Sequence, residues 1–171
     1  MSNIILIGMP GAGKSTLGVV LAKAIGYNFI DSDLLIQERE GKLLSDILDE
    51  VGIWGFNKIE EEVNASINVN HTVIATGGSA VYGPKAMEHF RKIGTVVYIK
   101  LPLKTIIKRV GDFEKRGIAM KEGETIEDLY NERVPLYEKY AHVTVETQGM
   151  ELSKSMDVIR KIVTQRMGAN I

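Results

Sequence analysis

Five short apolar runs mark the chain, at residues 4–7, 28–30, 72–76, 95–99 and 142–146. The first, Ile4-Ile5-Leu6-Ile7, is continuously apolar, as a strand buried on both faces of a parallel sheet should be. Between the runs the apolar spacing becomes helical, over residues 55–67, 84–91, 103–110 and 125–140. A further helix closes the chain, with Leu152, Met156, Ile159, Val163 and Met167 expected on one face. Strands alternating with helices predict an α/β fold in three layers, a parallel sheet covered by helices on both sides. No repeat, low-complexity tract or linker divides the sequence, so residues 1–171 are expected to form one domain.

Between the first strand and the helix carrying Leu17, Val20, Leu21, Ala24 and Ile25 lies Gly8-Met-Pro-Gly-Ala-Gly-Lys14-Ser15-Thr16. Its spacing is G-x-x-x-x-G-K-S, in the strand–turn–helix context that a phosphate-binding loop requires. The glycines let the backbone wrap closely, so that successive N–H groups and the helix dipole face an anion. Gly11, Ala12, Gly13, Lys14, Ser15 and Thr16 are thereby candidates for holding a nucleoside triphosphate. Lys14 would reach the β- and γ-phosphates, and the Ser15 hydroxyl would be a magnesium ligand.

Composition narrows the partners. The 171 residues carry a formal net charge of −1, with a pI near 6.3, so no basic field invites a nucleic acid. Cysteine is absent, which excludes disulfides and thiolate metal sites. No apolar run approaches a membrane span, and the first strand begins at once, without a targeting segment. The expectation is a cytoplasmic monomer acting on a small molecule.

Phosphoryl transfer needs a carboxylate near the loop serine and a group that orients the acceptor hydroxyl. The third strand carries no acid at its C-terminal end, but the second runs into Asp31-Ser-Asp33. Ligands of open parallel sheets gather at the carboxyl ends of strands. Asp31 suits magnesium, and Asp33 suits the acceptor hydroxyl, although an aspartate here could also cap the helix that follows. Gly77-Gly78-Ser79 follows the third strand and permits close approach of a substrate. The charged segment 112–123 breaks the pattern and reads as a surface loop or a mobile lid, with Arg116 as its cation. Arg133 reads by itself as a solvated helix residue. His71, His89 and His142 have no ligand spacing, and most of the seven methionines read as core.

Taken together, these pieces resemble the shikimate kinase family over nearly the whole chain. They are the loop at residues 8–15, Asp31-Ser-Asp33, Phe56 with Glu60, Thr76-Gly77-Gly78-Ser79-Ala-Val, Arg116 and Arg133-Val-Pro-Leu-Tyr137. The resemblance implies a five-stranded parallel sheet, ATP with Mg2+, and a lid over the nucleotide. It implies transfer of the γ-phosphoryl group to a hydroxyl of shikimate, in aromatic amino-acid biosynthesis. Lys14, Ser15 and Asp31 then fall on the phosphate and magnesium side, and Arg116 on the lid. Asp33, Gly77, Gly78 and Arg133 fall on the acceptor side, with Lys14, Asp33 and Arg116 catalytic.

Departures from the family pattern cluster on the acceptor side. Asn57 stands where the pattern has an arginine that grips the acceptor carboxylate, and Ile53 where it has an acid. Ser79 replaces a third glycine, and Arg116-Gly-Ile-Ala replaces Arg-Pro-Leu-Leu. Asparagine supplies no charged bidentate fork, a loss on the order of 2–4 kcal/mol in a dry site. Trp54 reads as a helix-packing residue, with an acceptor-pocket wall as the alternative. Shikimate is the best named acceptor. The competing readings are a kinase for another hydroxylated metabolite, a nucleotide-binding regulatory module without catalysis and, less well supported, a nucleoside monophosphate kinase.

Overall fold

The computed structural model describes residues 3–111 and 117–168. Strands β1 (Asn3–Ile7), β2 (Asn28–Asp31), β3 (Thr72–Ala75), β4 (Gly94–Lys100) and β5 (Val143–Glu146) form a sheet ordered β2-β3-β1-β4-β5. Every neighbouring pair is parallel, with Ile5 of β1 opposite Ile74 of β3 and Val96 of β4. The connecting helices are α1 (Lys14–Ile25), α2 (Ser32–Glu40), α3 (Leu44–Ser66), α4 (Pro84–Ile93), α5 (Leu103–Val110), α6 (Ile126–Tyr140) and α7 (Leu152–Met167). A 3-10 turn at Ala80–Tyr82 precedes α4.

Side chains of a strand alternate between faces, yet every residue of β1 is buried. Both faces are therefore covered, and this is why β1 reads as an uninterrupted apolar run. β2 and β5 lie at the edges and keep partial exposure, so their apolar signals are shorter. The chain adds β2 and β3 on one side of β1, then β4 and β5 on the other. The reversal opens a crevice at the carboxyl ends of β1 and β3, into which the loop at residues 8–15 and the Gly77-Gly78 turn both project.

The N-terminal edge of the sheet is tied by one polar side chain. Asn3, fully buried, donates to the carbonyls of Val69 (2.7 Å) and Ile93 (3.1 Å) and accepts from the Thr72 amide (3.1 Å). Helix α3 bends at Gly52, whose φ of 68° falls outside helical geometry and favours glycine. This bend separates the first turns of α3 from the segment carrying Phe56, Asn57 and Glu60. On α7, Ile159 and Val163 are buried as the periodicity predicts, but Leu152 is exposed, because it opens the helix before the buried face is established. Among the described residues no helix is long and apolar enough to cross a membrane.

Asn3→Ala strands three backbone groups at once. Its expected effect is a loss of roughly 2–4 kcal/mol in unfolding free energy, measured by urea titration, with no change in fold.

Candidate functional site

At the carboxyl ends of the strands lies a cleft of about 260 Å³, walled by Gly11, Gly13, Lys14, Ser15, Thr16, Asp33, Gly77, Gly78 and Arg133. Nine of the residues singled out in the sequence thus meet in one place. Ala12 is buried behind the loop and lines a neighbouring hollow with Gly13 and Thr16. Arg116, with the rest of 112–116, lies outside the described residues. The remainder of the segment read as a lid reaches the cleft through Gly117, Ile118 and Ala119.

Lys14 opens α1, and its ammonium group donates to the carbonyls of Gly8 (2.8 Å) and Met9 (2.9 Å) of its own loop. Burial pulls its pKa down to about 8, opposed by the negative charges of Asp33, Asp31 and Glu60. The Ser15 hydroxyl donates to Asp31 Oδ2 at 2.7 Å, so the hydroxyl and carboxylate assigned to a metal from sequence do meet.

The helix cap falls on Asp31 rather than Asp33. Asp31 Oδ1 accepts from the Asp33 amide at 3.1 Å, because β2 ends there in extended geometry and α2 begins at Ser32. Asp33 therefore sits in the first turn of α2, and its carboxylate is left free for the cleft. Burial, with Asp31 nearby, raises its pKa to about 6, against the pull of Lys14.

Arg133 is not the solvated residue its position in α6 suggests; it is 1% exposed. Its Nη2 donates to the Ala119 carbonyl (2.8 Å) and its Nε to the Tyr82 hydroxyl (3.3 Å), with the guanidinium 5.3 Å from the Tyr82 ring centroid. The floor of the cleft passes directly beneath it. A side chain on Gly78 would meet Pro10 Cδ at 2.7 Å and Arg133 Nη1 at 2.9 Å. One on Gly77 would meet Glu60 Oε1 at 2.6 Å and Asp33 Oδ1 at 2.7 Å. A Cβ at Gly78 would press on the Pro10 ring, and one at Gly77 would displace the Glu60 and Asp33 carboxyl groups. The Tyr137 hydroxyl holds the Gly78 carbonyl at 2.6 Å, fixing the floor to α6.

Asn57 does not line this cleft. It lies on the wall of an adjoining cavity of about 670 Å³, with Ile53, Trp54, Tyr82, Lys121 and Glu132, and Ala119 borders both spaces. Its buried Oδ1 has no hydrogen-bond partner among the described residues. Trp54, two residues beyond the bend at Gly52, is 90% exposed, contrary to the packing role expected of it, and edges this cavity.

Sequence reasoning missed three contributors. Glu60 entered only as part of a motif, yet its buried carboxyl group lies against the cleft floor. Burial raises its pKa to about 7, while a hydrogen bond from Ser79 and the charges of Arg133 and Lys14 act in the opposite sense. Tyr82 positions Arg133, and nothing in a lone tyrosine announces that. Arg109, at the end of α5, brings Nη1 to 3.5 Å from the Gly11 carbonyl and lines a hollow with Thr147 and Ser155 beside the loop. The place of Thr147 just after β5, at the same carboxyl edge, was the available signal.

A family model described as shikimate kinase matches residues 10–164. The chain belongs to the shikimate kinase family. A shikimate kinase from Clostridium botulinum is 39% identical over 90% of this chain and 92% of its own length. One from Chlorobium chlorochromatii is 34% identical over 97% of this chain and 93% of its own. The solved structure of shikimate kinase from Acinetobacter baumannii in complex with shikimate superposes with a TM-score of 0.86. It is 32% identical and covers 98% of this chain and 96% of that one.

Glu60 has a thermodynamic consequence. Its folded pKa, about 7, exceeds the ordinary 4.5, so between these values the folded state holds the proton more tightly than the unfolded chain. Its contribution favours folding at low pH and is lost as pH rises through about 7. Glu60→Gln is therefore expected to gain stability relative to wild type between pH 5 and pH 8, by at most about 3 kcal/mol, in denaturant titrations at both pH values.

Proposed function

We propose that this protein transfers the γ-phosphoryl group of ATP to a hydroxyl of shikimate. The observation that carries the reading is the meeting of Lys14, Asp33 and Arg133 in one cleft, between a phosphate-binding loop and a floor of two closely packed glycines. The triphosphate lies along the amides of residues 11–16, with its γ-phosphate toward Asp33. Arg109, Thr147 and Ser155, beside the outer side of the loop, face the base. Shikimate carries a carboxylate and vicinal hydroxyls. The Arg133 guanidinium, oriented by Tyr82 and Ala119, takes the carboxylate.

In the transfer, the acceptor hydroxyl gives its proton to Asp33 as its oxygen bonds to the γ-phosphorus. The bond to the bridging β–γ oxygen breaks, and ADP leaves. Lys14 leaves the Gly8 and Met9 carbonyls for the phosphate oxygens and stabilises charge that develops in the transition state. Ser15 and Asp31 present hard oxygen donors 2.7 Å apart, a donor set that would hold Mg2+. When bound, that ion would neutralise phosphate charge. Segment 112–123 is read as the lid, its Arg116 acting over the nucleotide in the closed complex.

Coupled ADP-release assays with shikimate test the assignment. Asp33→Asn should lower kcat by roughly 10²-fold or more while ATP affinity changes little; Asp31→Asn should instead weaken the dependence on Mg2+. If both substitutions affect ATP binding alone, the two aspartates have been assigned the wrong roles.

Asn57→Arg restores a charged contact in a cavity with room for it. Its expected effect is a kcat/KM for shikimate raised roughly tenfold, mainly through KM, in initial-rate kinetics. A fall would show that the carboxylate is gripped through Arg133 without help from α3.

A further inference from the structure

Two departures in the sequence, Asn57 and Ser79, are both neighbours of one buried group, Glu60, the first along α3 and the second through a hydrogen bond. Glu60 is one turn along α3 from Asn57, on the same helix face, and is 1% exposed. Its Oε1 lies against Gly77 in the cleft floor and has no hydrogen-bond partner among the described residues. Its Oε2 accepts from the Ser79 hydroxyl at 2.5 Å, a bond that is itself buried. Among the described residues no hydrogen bond from Asn57 joins it, since Oε1 has no partner and the donor to Oε2 is Ser79. The cations acting on Glu60 are Arg133 and Lys14, both on other helices.

We propose that Ser79 is a positioning residue for acceptor binding: its hydroxyl holds the Glu60 carboxyl group against Gly77, a task that a cation at position 57 would otherwise perform. The inference rests on the shikimate reading above. A carboxyl group without a fixed rotamer beneath Gly77 would move the floor on which the acceptor lies. A backbone shift of a few tenths of an ångström is felt there, because Gly77 is already hemmed in by Asp33 and Glu60. With arginine at position 57, one turn away, a charged donor could fix the same carboxyl group and leave the serine hydroxyl redundant. The two departures are then one compensated exchange rather than two independent losses.

The groups facing Glu60 are Ser79 from the loop after β3, Asp33 from α2, Lys14 from α1, and Arg133 and Tyr137 from α6. The serine bond favours the ionised carboxylate, in opposition to burial. Removing it therefore destabilises the fold more above pH 7 than at pH 5.

The experiment is a double-substitution cycle read by shikimate KM, kcat, ATP KM and melting temperature. Ser79→Gly and Ser79→Ala are expected to raise the shikimate KM about fivefold to tenfold, with kcat and ATP KM within about twofold. In an Asn57→Arg background the same changes should be nearly silent. The melting temperature of Ser79→Ala should fall further below wild type at pH 8 than at pH 5, a readout that needs no acceptor. An unchanged shikimate KM in both Ser79 variants overturns the positioning role, and so does an equal effect in the two backgrounds. Failure of wild type to phosphorylate shikimate would overturn the acceptor assignment instead, and the pH-dependent melting difference would still report whether Ser79 holds Glu60.

Discussion

Lys14, Arg133 and Asp33 line one cleft, and the buried Glu60 carboxyl group lies against its floor behind Gly77. Burial opposes ionisation of Lys14, Asp33 and Glu60, and it is countered by opposite charges and, at Glu60, first by the Ser79 hydrogen bond. The cleft is therefore electrostatically interdependent. Removing one member would not delete one contact; it would leave its partners uncompensated in a low-dielectric site. The same interdependence suits phosphoryl transfer, where a negatively charged group must be held and moved without being bound so tightly that it stays. Lys14 rests on the carbonyls of Gly8 and Met9, weaker acceptors than phosphate oxygens, so the exchange onto a nucleotide is favourable.

Two backbone approaches make that concentration of charge possible. Gly77 and Gly78 have no room for a Cβ, and Arg133, Pro10, Asp33 and Glu60 fill the space that one would need. The floor is fastened from both sides, by Tyr137 on the Gly78 carbonyl and by Thr76, whose amide and hydroxyl both bond the Leu6 carbonyl of β1. The Gly77-Gly78 turn is thereby held both to β1 and to α6. A near-attack geometry depends on such anchoring, because small displacements of reacting groups forfeit much of the rate.

Two of the residues that depart from the family pattern, Ile53 and Asn57, lie outside the cleft that holds Lys14, Asp33 and Arg133. They line the adjoining cavity, and among the described residues Arg133 is the buried guanidinium of the cleft. Arg133 itself is oriented by two hydrogen bonds and an aromatic face, so its direction does not depend on α3.

Much of this protein could be read from its sequence. The parallel sheet was legible because a strand covered on both faces must be apolar throughout, as β1 is. The phosphate loop was legible because its chemistry is local: glycines, a lysine and a serine at fixed spacing between strand and helix. Asp31 and Asp33 were found because strand ends point at the site, though which of them capped α2 depended on where β2 stopped. The rest depended on distant segments meeting. Arg133 reads as solvated until α6 meets Tyr82, and Trp54 reads as core although it ends up exposed. Glu60 and Ser79 are 19 residues apart, and neither predicts the other. Local patterns are fixed by backbone geometry and burial along one segment. Which buried charges face one another is decided only when separate segments exclude water from the same space.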